Sequence, residues 1–139
     1  LCFDFWGQPE AARVLADLEA DLVVNPGIFP ILRGHWPTAA LVRAFDNYLP
    51  VVGVNTAAFV VEVAGRGYPV QGGRSFALQP PAPGDTAELA QMVRSWDDLN
   101  HWFVAQARSE AEEVLTVHLD LAGVRHWRRV LWERFGIRR

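Results

Sequence analysis

Two near-continuous apolar runs constrain the fold most: DLVVN at 21–25 and VVGVN at 51–55. Neither alternates apolar with polar residues, as a strand with one wet face would. Runs of this kind belong to strands buried on both faces, in sheets covered by helices. Residues 10–20 (EAARVLADLEA) are helix formers throughout, with Ala11, Val14, Leu15 and Leu18 at helical spacing on one side. Gly7 and Pro9 mark a turn before them, and Pro9 suits a first helical turn. Residues 36–48 read as a second helix, with Pro37 in its first turn, Leu41, Val42 and Phe45 on one side, and Pro50 ending it. This alternation over the first 55 residues predicts an α/β class or a layered α+β sandwich.

The remaining segments are shorter. Residues 1–5 (LCFDF) read as the tail of a buried strand, and Pro26 and Gly27 as the stop of the 21–25 strand. Residues 28–34 read as a loop, 59–63 (FVVEV) as a strand or hairpin arm, and 64–73 as a glycine-rich loop. A strand is predicted at 74–79, a turn-rich connection at 80–84, and one or two helices within 86–108. Residues 113–121 (EVLTVHLDL) read as a strand, and 122–135 as an Arg- and Trp-rich helix. No repeat, low-complexity stretch or linker divides the chain, so a single domain is expected.

Composition excludes several chemistries. All 13 basic residues are Arg, so a Schiff-base lysine and a Walker lysine are absent from the chain. The single cysteine, Cys2, excludes an internal disulfide and a zinc site built on several cysteines. The net charge of −3, with acids and arginines interspersed, argues against a nucleic-acid partner. Arg125, Arg128 and Arg129, with Trp127 and Trp132, read as a solvated helix face or a subunit contact. No apolar run approaches the ~18 residues of a membrane-spanning helix, so no membrane partner is expected. No leader pattern is visible in residues 1–16, which makes the cytoplasm the default compartment. His35, His101, His118 and His126 lack ligand spacing; no metal and no cofactor are expected, and His118 reads as a core or interface residue. The Gly72–Gly73 pair reads as a tight turn or a close backbone approach rather than a phosphate cradle.

Cys2, followed by a turn and a helix, is the strongest chemical feature. A lone cysteine is often a buried packing residue. It can equally be a nucleophile, held rigidly at a turn whose following N–H groups face a developing oxyanion. The order of segments bears on that choice. Cys2, Phe3, Asp4, Pro9, Glu10, Ala12 and Arg13, then Ala20, Asp21 and Pro26, form one ordered set. His35, Trp36, Arg43, Ala44, Asp46, Asn47 and Asn55 continue it, followed by Gly72, Gly73 and Ser75, and by Asp120, Leu121, Val124 and Arg128. Together they resemble the carbon–nitrogen hydrolase family (the nitrilase and amidase superfamily), from its nucleophile onward. The sequence departs from the family's pattern in three places. The stretch between Cys2 and Pro9 is one residue longer than in many members. Asp46 stands where Glu is usual. Residues 90–112 make a longer connection, in which Trp96 and Trp102 read as anchors onto the body or onto a second subunit.

The resemblance implies an αββα sandwich, of which residues 1–139 would be the C-terminal portion. It implies a Cys nucleophile at Cys2 attacking a linear amide, an N-carbamoyl compound or a nitrile. A Glu base and a Lys that stabilises the tetrahedral oxyanion would lie upstream. Without them this chain alone would be inactive. Asp4, two residues after Cys2, leans towards an amidohydrolase (amidase or carbamoylase) rather than a true nitrilase. The backbone N–H of Phe3 would serve the oxyanion. Asp4, Trp6, Asn25, Gly27, Ile28 and Phe29 are substrate-pocket candidates, the last four at the sheet end where a cleft opens. Similar proteins form homodimers, so a dimer is expected. The alternative is a non-catalytic interaction protein on the same fold, with Cys2 buried and inert.

Overall fold

The computed structural model describes residues 2–28, 35–92, 101–108 and 112–134. Residues 29–34 of the loop predicted at 28–34, with Phe29, and the segment 93–100, with Trp96, lie outside them. The order of elements is α1 (Cys2–Gly7), α2 (Pro9–Asp17), β1 (Val23–Gly27), α3 (His35–Asn47), β2 (Val51–Asn55), β3 (Ala58–Val63), β4 (Arg66–Gln71), β5 (Phe76–Leu78), α4 (Thr86–Met92), β6 (Phe103–Gln106) and α5 (Leu121–Arg134).

Among the described residues the main sheet has the order β1-β2-β5-β6. The β1–β2 pair is parallel, and β5 and β6 add antiparallel strands. Pro26 and Gly27 extend β1 instead of stopping it. Among the described residues β1 is an edge strand, so the missing N–H of Pro26 costs the ladder nothing on the open side. β3 and β4 form a separate hairpin, so most of the predicted glycine-rich loop is strand, turning at Ala64–Gly65.

Helices α1 and α3 lie on one face of the sheet. Val23, Val51, Phe76 and Leu78 point into that layer and meet Phe5, Ala12, Ala16, Trp36, Ala40 and Ala44. Alanines make most of the buried stripes of α2 and α3, joined at the start of α3 by Trp36. Val14, Leu18, Val42 and Phe45 are largely exposed. Alanine lets a helix approach its neighbours closely, so the buried side follows residue size as well as hydrophobicity. The other face of the sheet carries apolar side chains too. Val24 lies beside Val52 and Pro26 beside Val54, and Val24 and Val54 are 49% and 47% exposed.

The helix ends were hidden in the sequence. α2 stops at Asp17 because Glu19 takes a left-handed φ of 57° and the Ala20 N–H returns to the Leu15 carbonyl at 3.0 Å. Tyr48, at φ 47°, ends α3 in the same way, and the Leu49 N–H reaches the Ala44 carbonyl at 3.1 Å. Glycine ordinarily marks such a cap, and neither position has one. α5 is capped by Asp120, whose Oδ1 accepts the Gly123 N–H at 2.8 Å.

Two predicted elements are corrected. Residues 103–106 form β6 rather than helix, because the edge of β5 offers a ladder that local helix propensity cannot match. Residues 112–120 form no strand among the described residues, and Val114 is 95% exposed. An alternating pattern makes a strand only where another strand lies beside it. His118 is consequently exposed rather than a core residue. The solvated-face expectation for α5 holds for Arg125 and Arg129, which are exposed, and is corrected for Trp127 and Arg128. Arg125 forms an ion pair with Asp21, while Arg128 is buried and donates to the Ala20 carbonyl at 2.7 Å. Buried Trp127 donates from Nε1 to the Pro83 carbonyl at 2.6 Å. Trp102 anchors the long connection onto the body, against Phe45 and Tyr48.

Tyr48 carries a testable electrostatic consequence. Its hydroxyl donates to the Pro81 carbonyl, and burial pushes its ionisation above the usual phenol range. A folded pKa above the unfolded value of about 10 gives stability that is fully present below that pH and is lost as pH rises. The chain has no lysine to titrate in the same window. Tyr48→Phe should lower stability at pH 7 by about 1 kcal/mol and flatten its decline above pH ~10. Urea melts between neutral and alkaline pH would reveal it; an unchanged alkaline slope would contradict the assignment.

Candidate active site

Cys2 is the first residue of α1, not the end of a strand. The LCFDF pattern reads as extended from its apolar alternation, yet the chain coils at once, and the Gln8 N–H closes on the Asp4 carbonyl at 3.0 Å. Phe5 holds this short helix down. Its side chain is fully buried in the core shared with Val23. Gly7 ends α1, and Pro9 opens α2 immediately afterwards.

Cys2, Phe3, Asp4 and Trp6 therefore share one turn-and-a-half of helix, packed on β1. Asp4 is exposed. Asn25 and Gly27 lie in the C-terminal half of β1. Asn25 is fully buried, Gly27 half-buried, and Ile28, just past the strand, 62% exposed. The structure thus brings the Cys2 helix against the strand that carries Asn25 and Gly27. Phe29 lies outside the described residues.

The end of the sheet at which β1 and β2 finish is built by a polar network. Asn55 donates from its backbone N–H to Ser75 Oγ and from Nδ2 to the Gly73 carbonyl, both at 2.9 Å. The Gly73 N–H returns to the Thr56 carbonyl at 2.6 Å. At Gly72 the two chains run so close that a Cβ would collide with the Thr56 carbonyl. The glycine pair is thus a close backbone approach that ties the hairpin base to β2. Asp46 lies on the exposed side of α3.

Below this end the sheet surface is aromatic. The Phe76 ring covers Gly53, leaving no room for a side chain there. Trp36 meets Phe76 edge-on with centroids 5.0 Å apart, and Phe103 meets it at 5.9 Å. Sequence reasoning did not single out this cluster. The lone glycine in VVGVN was its only signal, marking a place where something approaches the strand closely. Among the described residues no group of three or more His, Cys, Asp or Glu is placed to hold a metal ion. No described helix is long and apolar enough to cross a membrane.

No family model matches the chain. A haloalkane dehalogenase of Mycobacterium marinum is 35% identical over 116 residues, which span 70% of this chain and 39% of that protein. A carbon–nitrogen hydrolase from Helicobacter pylori G27 superposes with a TM-score of 0.67 at 24% identity. The superposition covers 99% of this chain and 44% of that one. Nit3 of Saccharomyces cerevisiae, a member of branch 10 of the nitrilase superfamily, gives a TM-score of 0.61 at 22% identity, over 94% of this chain and 39% of that one. The chain spans less than half the length of each. These structural likenesses establish the fold as that of the carbon–nitrogen hydrolases, over part of its extent, and accord with the α/β layering expected from the sequence.

Proposed function

We propose that the carbon–nitrogen hydrolase fold of this chain serves thiol-dependent cleavage of a non-peptide carbon–nitrogen bond, with Cys2 as the nucleophile. The observation that carries the reading is the superposition of nearly the whole chain on a carbon–nitrogen hydrolase, with Cys2 opening the helix packed on β1. The Cys2 thiolate adds to the carbonyl carbon of a linear amide or N-carbamoyl compound, or to a nitrile carbon. For an amide, the tetrahedral oxyanion collapses, the C–N bond breaks, and the amine leaves with a proton. Water then attacks the thioester, releasing the acid and restoring the thiol. The Phe3 N–H faces the oxyanion. Asp4, Trp6, Asn25, Gly27, Ile28 and Phe29 shape or support the pocket. An amidohydrolase is favoured over a nitrilase.

The base and the oxyanion-stabilising lysine of this scheme come from a further portion of the same domain, since the chain contains no lysine. The apolar sheet face around Val24, Val52 and Val54 supports that view. A sheet with a parallel pair is ordinarily covered on both sides, and among the described residues helices cover one. On this reading the chain alone is inactive, and dimers and a cytoplasmic location are expectations for the assembled protein. The M. marinum relative bears the name of a different activity. Haloalkanes therefore belong in the same assay panel as amides, N-carbamoyl compounds and nitriles.

Alkylation of the assembled protein with iodoacetamide across pH tests the reading. Cys2 should react with a midpoint below the ~8.5 of a free thiol. An inert Cys2, together with no turnover of any nitrogen substrate, would favour the alternative of a non-catalytic interaction protein.

A further inference from the structure

Residues 113–119 (EVLTVHL) have the composition of a strand and no strand beside them among the described residues. The segment carries β-branched Val114, Thr116 and Val117 and contains no glycine or proline. It runs without turn, bend or helix. Its burial already alternates as a pleat does. Leu115 is 36% exposed and Val117 and Leu119 are half-buried, whereas Val114 is 95% exposed and Thr116 and His118 are open to solvent. Among the described residues no backbone N–H or carbonyl of 114–119 has a backbone partner. Both ends are nonetheless fixed. Glu113 Oε2 accepts the Arg108 N–H at 2.9 Å, and the Asp120 N–H donates to Gln79 Oε1 at 2.6 Å.

A row of free backbone donors and acceptors, anchored at both ends, is a template for another strand. Its anchoring lowers the ordering cost of pairing. A second copy of the chain fits this template poorly. Antiparallel pairing centred on Thr116 sets Glu112 opposite Asp120, and parallel pairing in register sets each acid beside its own copy. Like charges directly opposite are destabilising. The remainder of a larger domain fits it better. The superposed Helicobacter pylori hydrolase carries more than half of its length beyond the part that matches this chain. The exposed Val24 and Val54 mark a sheet face that also lacks its cover among the described residues.

We propose that residues 113–119 are an interaction surface for the remaining portion of the domain: an edge strand of that portion pairs with them and turns the segment into a strand. The pairing presupposes the further portion invoked for the active site and does not depend on Cys2 as the nucleophile.

Hydrogen exchange read by NMR and mass spectrometry, in this chain alone and in the assembled protein, tests the pairing. In the chain alone the amides of 114–119 should exchange at close to the unprotected rate. In the assembled protein those amides, or every second one if a single edge is paired, should slow at least about a hundredfold. Thr116→Pro removes one donor and stiffens the segment, so that protection should fall at least about tenfold. Thr116→Val keeps the donor and should retain the protection. Fast exchange at 114–119 in the assembled parent overturns the proposal whether or not Thr116→Pro assembles. Protection that appears in the chain alone as its concentration rises overturns it in favour of a second copy. Full protection in Thr116→Pro overturns it as well. Protection beside a Cys2 inert to iodoacetamide supports the surface and removes the nucleophile reading, and fast exchange beside a reactive Cys2 does the reverse.

Discussion

Cys2→Ala in the assembled enzyme is expected to lower turnover of its amide, carbamoyl or nitrile substrate by about three orders of magnitude or more. Removal of a catalytic nucleophile leaves only the residual acceleration from substrate binding and oxyanion contacts. No other thiol of this chain can substitute, because it has a single cysteine. Mass spectrometry should find an acyl adduct on the peptide that contains Cys2 in the parent and none on that peptide in the variant. The fold should tolerate the change, since the first turn of α1 is held by Phe5. Full turnover in Cys2→Ala would remove the nucleophile assignment outright. An unchanged KM for a slow residual reaction would place the loss in the chemical step rather than in binding.

The second large effect is expected at Phe5. Its side chain is fully buried and joins α1 to the core that includes Val23 and Val51. Phe5→Ala should cost about 3–5 kcal/mol, from lost burial and from the cavity left behind. α1 has only six residues, far too few to persist in water without packing. The loss should therefore appear first as fraying of residues 2–7 and only then as global unfolding. Hydrogen exchange at α1 and thermal melting by circular dichroism would separate the two. A melting temperature within about 2 °C of the parent would show that Phe5 is not the anchor.

Much of the layering was legible in residue order. VVGVN is β2 at its predicted bounds, and the helix over 36–48 is α3 within a residue at each end. The bounds that failed did so where the deciding group is distant or unusual. Glu19 and Tyr48 end helices in a left-handed conformation that nothing in their side chains announces. β6 exists because β5 lies beside it, and 112–120 stays irregular among the described residues for want of such a neighbour. The same contrast holds at the candidate site. Cys2 could be chosen from the order of segments around it. The fully buried, unpartnered carboxamide of Asn25 and the Phe76 ring over Gly53 could not.

What the sequence by itself determined is therefore local and chemical. It set the runs that form the central strands, the breaks at Gly7, Pro9 and Pro50, the single thiol, and the absence of lysine. Those follow from side-chain shape, backbone restriction and residue identity, which act over a few positions. The tertiary structure alone decided that Cys2 opens a helix instead of ending a strand. It also decided which small residues face the core and that one side of the sheet keeps Val24 and Val54 at the surface. Each of these depends on which surfaces meet across long sequence separations, and packing energy between distant segments overrides the preference of any one of them.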